Sequence, residues 1–180
     1  MNFEMYGHPL TPDQAGGETA KQYEKIEEMF GEIPPHLRLH ATHLPAEMEY
    51  YFHMMKKTRN HPVIPLVWFA LLRLSVAQRE DFPYCRALNT EMLDTLGCDK
   101  TVREAFFAGE TPAPLDEKLK LLYETALKSI YDSHHINETD FSRLYEVGFD
   151  DKTIYEAIDY ATWFSGIGRK LNAYLKKPKS

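Results

Sequence analysis

Cysteine is nearly missing from this chain: 180 residues hold two, Cys85 and Cys98. A single pair gives no disulfide framework, so reduced thiols in a cytoplasmic protein are expected. Long hydrophobic runs are missing too. The longest, Val63 to Leu72, is interrupted by Pro65 and closed by Arg73, which is about half of the ~20 residues that a membrane span needs. The segment from Met1 to Leu10 contains Glu4, His8 and Pro9 and offers no apolar stretch of the signal-peptide kind. No membrane partner is expected. Basic charge is in deficit, with 21 Lys and Arg against 27 Asp and Glu. Without a basic stripe a nucleic-acid partner has no electrostatic footprint. The one basic cluster, Arg169-Lys170 with Lys176-Lys177-Pro178-Lys179, is short and terminal and reads as a solvated end.

What the chain does have is core material. Hydrophobic residues make up 43%, including 11 Tyr and 10 Phe, at a length that buries ~70% of the unfolded chain's surface. Residues 1–17 are punctuated by Gly and Pro and read as an arm, loose or embracing a partner. Residues 18–180 read as one all-α domain. Glu18 to Phe30 fits an amphipathic helix stopped at Gly31. Pro34-Pro35 opens a short helix through His36, Leu37 and Leu39, and Pro45 suits the first turn of a helix to about Thr58. Pro65 to Gln78 is apolar nearly all round and belongs at the centre of a bundle. A helix from Phe82 to Leu96 ends where Gly97 supplies a left-handed residue, and Asp99 caps a short helix ending at Gly109. The loop Glu110 to Pro114 separates the chain into halves. Beyond it come an amphipathic helix from Leu115 to Tyr131 and a short one capped near Asn137 and ended by Gly148. Asp150 caps the last, whose Ile154, Ala157, Ile158, Ala161, Phe164, Ile167, Leu171 and Leu175 form one apolar stripe. No stretch shows strand alternation.

Several segments carry a family resemblance. Phe82-Pro83-Tyr84-Cys85-Arg86-Ala87-Leu88-Asn89 resembles the redox segment of the carboxymuconolactone decarboxylase and alkylhydroperoxidase D-like (AhpD-like) family, which carries Cys-x-x-Cys-x-x-x-His there. Met29-Phe30-Gly31-Glu32-Ile33-Pro34 is similar to that family's Phe-Gly-x-x-Pro, and Val147-Gly148-Phe149-Asp150-Asp151-Lys152-Thr153-Ile154-Tyr155-Glu156-Ala157 to its Gly-Leu-(Ser/Thr)-Asp-x-x-Ile-x-Glu-Ala. Phe164-Ser165-Gly166-Ile167-Gly168-Arg169 stands where relatives have Phe-x-x-x-Asn-Arg. The resemblance spans roughly residues 20–176 and points to the peroxidase-related subgroup. It implies an AhpD-like helical bundle assembled as a homo-oligomer, trimer or hexamer. Neither a cofactor nor a metal is expected. The resemblance also implies a relay of a glutamate, two cysteines and a histidine. Carried over by position, the glutamate falls near Ala70, the first cysteine at Phe82 and the histidine at Asn89, so Cys85 alone survives. Decarboxylase-type relatives rely on acid–base groups that include a histidine, also missing here.

Cys85 and Asn89 are therefore the candidate catalytic pair. A thiol in the first turn of a helix is favoured as thiolate by the macrodipole, but Glu80 and Asp81 oppose this and Arg86 offsets them. The other reading makes Cys85 a small buried hydrophobe. Asn89, one turn on, can hydrogen-bond a ligand or water but cannot transfer a proton. Cys98 is about 19 Å away along a helix and out of resolving reach. Phe82, Tyr84, Trp68 and Glu80 are the candidates for a pocket that such aromatic content makes apolar. His36, His40 and His43 share a helix face but lack supporting carboxylates, so helix packing outweighs a metal. His134 and His135 follow a helix end as a surface pair. Gly166 and Gly168 inside a helix signal the close approach of another helix or a wall beside a pocket.

Three functions stay open. The first is a small-molecule-binding or interaction protein on a scaffold without the relay, with an apolar small molecule as ligand. The second is a one-cysteine antioxidant peroxidase or alkylhydroperoxide reductase at Cys85. The third is a lactone decarboxylase-like enzyme using Glu91 or Glu80.

Overall fold

The computed structural model describes residues 3–109 and 114–176. Glu110 to Ala113 of the expected central loop, and the tail from Lys177, lie outside them. The chain forms two compact units, residues 1–57 with 171–180 and residues 58–170.

The first unit holds β1 (Glu4–Met5), α1 (Gly17–Phe30), α2 (Pro35–His43), most of α3 (Met48–Arg59) and β2 (Leu175–Lys176). Helix α1 ends at Gly31, whose φ of 75° is the left-handed cap the sequence anticipates. Pro45 opens a single 3-10 turn, Pro45–Glu47, before α3 begins. The helix expected from Pro45 is thus split. The apolar stripe also departs from helix at its end, because Leu175–Lys176 pairs antiparallel with Glu4–Met5. Two-residue strands are too short for alternation to announce them.

Residues of the N-terminal segment are tied down within this unit. Arg38 donates through Nε to the Leu10 carbonyl at 2.8 Å and through Nη2 to that of Pro9 at 2.9 Å. The Tyr23 hydroxyl reaches the same Leu10 carbonyl at 2.8 Å, and the Tyr6 N–H donates to the Tyr174 carbonyl at 2.7 Å. His36 and His40 are buried with their rings beside Tyr51, at 6.4 and 5.0 Å between centroids.

The second unit is built on α4 (Leu66–Arg79), with α5 (Pro83–Thr95) its most extensive partner. Helices α6 (Lys100–Ala108), α7 (Glu117–Tyr131) and α8 (Glu138–Glu146) and the body of α9 (Asp151–Tyr174) complete it. Trp68, Phe69, Ala70, Leu71, Leu72, Leu74, Val76 and Ala77 of α4 are all buried. At ~1.5–3 kcal/mol per large apolar side chain removed from water, this helix is the main source of cohesion in the unit. An aromatic ladder runs through it: Trp68 meets Phe69 and Tyr123 edge-on, and Phe69 meets Tyr160 edge-on at 4.8 Å.

Local chemistry sets the helix ends. Asp99, Asp116 and Asn137 accept backbone N–H groups at the starts of α6, α7 and α8, and Asp150 does so ahead of α9. His61 fixes the approach to α4. Its Nδ1 accepts from the N–H groups of Val63 (3.2 Å) and Ile64 (2.9 Å), which leaves Nε2 to donate to Glu156 Oε2 at 3.1 Å. Among the described residues, no helix is long and apolar enough to cross a membrane.

Candidate functional site

The link between α4 and α5 decides where the candidate residues point. Asp81 takes φ 52°, and the Phe82 N–H reaches back to the Ala77 carbonyl at 2.8 Å. That is a Schellman closure with aspartate where glycine usually stands. Pro83 then opens α5 with its φ already helical. Phe82 is thereby turned inward against α9. A Cβ on Gly168 would lie 2.6 Å from Phe82 Cε2 and 2.8 Å from Cδ2, so only glycine leaves space for the ring. Gly166 meets nothing within 4 Å. The glycine signal in the sequence thus belongs to Gly168 and Phe82.

Cys85 follows in the first turn of α5, and only 3% of its surface is exposed. Burial pushes its thiol up to about 11, with the Arg73 guanidinium pulling the other way. Desolvation outweighs the nearby positive charge here, and the offsetting cation is Arg73 of α4 rather than Arg86. At neutral pH such a thiol is ionised only about once in 10⁴. Cys98 is likewise buried and raised, and both cysteines are free.

Asn89, 2% exposed, has both ends of its amide engaged. Nδ2 donates to the Cys85 carbonyl at 2.7 Å, while Oδ1 accepts from Arg73 Nε at 2.6 Å. A guanidinium cannot accept and a carbonyl cannot donate, so only this amide orientation satisfies both neighbours. Arg73 also donates through Nη1 to the Tyr160 hydroxyl at 2.8 Å and through Nη2 to Met92 Sδ at 2.7 Å. Cys85, Asn89, Arg73, Tyr160 and Met92 thus form one cluster across α4, α5 and α9.

The other candidates lie around it in different states. Tyr84 is buried at the start of α5. Glu80 caps α4 and is held by Arg169, with Nη2 to Oε1 at 2.7 Å and Nε to Oε2 at 3.2 Å. Trp68 is fully buried, and its Nε1 donates to the Leu119 carbonyl of α7 at 3.0 Å. It projects about 140° around α4 from Arg73, so the geometry does not bring it to the cysteine. Arg73 and Tyr160 were not singled out from the sequence. A signal existed for Arg73, the single charge inside an otherwise apolar helix, because a buried cation needs partners. Tyr160 also fits the apolar stripe of α9, between Ala157 and Ala161.

Among the described residues, one group of three has metal-ligand character: Asp132, His134 and His135, with ligand atoms within 4.8 Å of one another. Its two histidines are exposed, and it is already closed on itself, His135 Nδ1 lying 2.5 Å from Asp132 Oδ1.

Two solved structures share this helical architecture. An uncharacterized peroxidase-related protein from Silicibacter sp. TM1040 superimposes with a TM-score of 0.74 at 20% identity, over 99% of this chain and 96% of its own. An uncharacterized peroxidase-related protein from Ralstonia eutropha JMP134, described as an alkylhydroperoxidase AhpD core, superimposes with a TM-score of 0.75 at 18% identity, over 94% of this chain and 90% of its own. The chain has the AhpD-core fold. No family model and no curated protein matches its sequence. Within this AhpD-core fold, the α4–α5 link and the start of α5 carry Phe82, Cys85 and Asn89 at the spacing where the sequence resemblance places a redox motif.

Proposed function

We propose that this chain is a member of the AhpD-like family that has lost the two-cysteine relay and serves as a small-molecule-binding protein. The observation that carries the reading is Asn89, whose amide is committed between the Cys85 carbonyl and the Arg73 guanidinium. A proton relay needs a group that changes protonation state beside a thiolate. Here an amide that cannot titrate stands beside a thiol raised to about 11. With Phe82 packed against Gly168, a resolving cysteine has been replaced by wall.

One observation favours the one-cysteine peroxidase instead. The Arg73 charge lowers the Cys85 pKa, and ligand-driven opening of the site would reduce the burial that opposes it. Peroxide consumption separates the two readings. The binding protein consumes hydrogen peroxide or an alkyl hydroperoxide in the presence of a dithiol no faster than its Cys85→Ser variant. A clear loss of turnover in that variant would establish the peroxidase. The lactone decarboxylase reading has less support, because Glu80 is already held by Arg169.

We further place the protein in the cytoplasm as a homo-oligomer. Tyr155, 73% exposed on α9, and the exposed Tyr50, Tyr145 and Val63 supply apolar surface for subunit contacts.

A further inference from the structure

We propose that Arg73 and Tyr160 anchor the carboxylate of a small apolar ligand. The inference rests on the binding-protein reading above and names the class of molecule bound. Arg73 is half-buried in a helix whose neighbouring positions are apolar, yet among the described residues no carboxylate bonds to it or pairs with it. Two acids on the same helices are engaged elsewhere: Glu80 at the end of α4 by Arg169 and Glu156 of α9 by His61. A guanidinium stays charged at any working pH, and a desolvated charge is costly without a counter-charge. Asn89, Tyr160 and Met92 orient this cation without neutralising it.

The unused hydrogen-bonding capacity points the same way. Of the five guanidinium N–H groups, Nε spends its one on Asn89, and Nη1 and Nη2 each spend one, on Tyr160 and on Met92. Each terminal nitrogen keeps one N–H, two charged donors that a carboxylate can accept. The bond to Met92 uses a weak thioether acceptor, which a carboxylate oxygen readily displaces. Tyr160 is 3% exposed, and its hydroxyl accepts from Arg73. Its own proton has no acceptor among the described residues. Three donors without acceptors are therefore grouped on two side chains. Beside them run Phe69 and Trp163, with ring centroids 4.8 and 5.6 Å from that of Tyr160. Those rings suit an apolar or aromatic body behind the acid.

Benzoate is the probe, titrated calorimetrically into the full chain against neutral benzamide and inorganic phosphate. Benzoate is expected to bind with a Kd of about 1 mM or tighter, with benzamide and phosphate at least about tenfold weaker. Arg73→Gln should weaken benzoate by at least about tenfold. Tyr160→Phe, which keeps the ring packing, should weaken it several-fold. If Arg73→Gln does not fold, the comparison with benzamide and the Tyr160→Phe variant decide. The proposal is overturned if benzoate shows no binding at ~10 mM, if benzamide or phosphate binds as well, or if Tyr160→Phe leaves the affinity unchanged. Cys85 alkylation in the same samples keeps the two ideas apart. An inert Cys85 without benzoate binding overturns the anion site alone, whereas a rapidly alkylated Cys85 overturns the reading beneath it.

Discussion

Phe82 and Gly168 act as one packing unit. Adding a methyl at Gly168 places carbon 2.6 Å from the Phe82 ring, so Gly168→Ala is expected to cost ~1–3 kcal/mol as overpacking. Phe82→Ala opens a cavity and costs ~3–5 kcal/mol. The double variant should cost clearly less than the sum, because the added methyl then occupies vacated space. Urea denaturation of the four proteins checks this, and strict additivity would mean that the ring does not depend on the glycine. Asn89→Ala removes the acceptor from Arg73 Nε, leaving a half-buried charged donor without that partner, with an expected loss of ~1–3 kcal/mol by the same measurement. At this scale the sequence was only partly legible. Spacing placed Cys85 and Asn89 on one face of one helix. It did not show that burial would dominate at the thiol, nor that the balancing cation would come from another helix, because both depend on how α4 and α5 pack.

Helix ends were the most legible elements, since caps are encoded locally. Asp99, Gly97, Gly31, Asn137, Gly148 and Asp150 all stand where side-chain chemistry and backbone freedom require them. Asn137→Ala removes one half of a capping box at α8 and is expected to lower stability by ~1 kcal/mol, read as a shift in thermal midpoint. Two carboxylates near these ends set a response to acid. Lys128, 2.7 Å from Asp140 Oδ2, holds that carboxyl below its ordinary range, and the Thr153 hydrogen bond does the same for Asp150. A depressed folded pKa contributes stability that is complete above the unfolded value of ~3.9 and is lost as pH falls through the folded value. Thermal melts below about pH 4 should therefore show the midpoint falling, less steeply in Asp140→Asn. The end of the last helix was illegible for the opposite reason. The chain leaves helix at Leu175 to pair with Glu4–Met5, a contact made across the whole length of the sequence.

Across the whole molecule the fold class was legible because helical periodicity recurs in every segment from Glu18 onward. The division into two compact units was not, since it cuts α3 between Lys57 and Thr58 and α9 between Lys170 and Leu171, inside continuous helices. Alkaline pH tests the interior of the second unit. Burial raises Cys85 to about 11, and Tyr123 and Tyr131 to about 12. Their stabilisation is complete below the unfolded values and is lost as pH rises through the folded ones, so cooperative unfolding should set in between about pH 9 and 12. Near-ultraviolet circular dichroism would follow it. A flat signal to pH 12 would contradict the burial of these groups.

The central claim is that the remaining cysteine has lost its redox chemistry, and the pH dependence of Cys85 alkylation measures it most directly. The rate is read by mass spectrometry against Cys98, with and without hydrogen peroxide. The account predicts slow alkylation that rises only toward pH 11, with no sulfenic acid at neutral pH. Rapid alkylation with an apparent pKa below the ~8.5 of a free thiol, together with peroxide-dependent oxidation of Cys85, would contradict it.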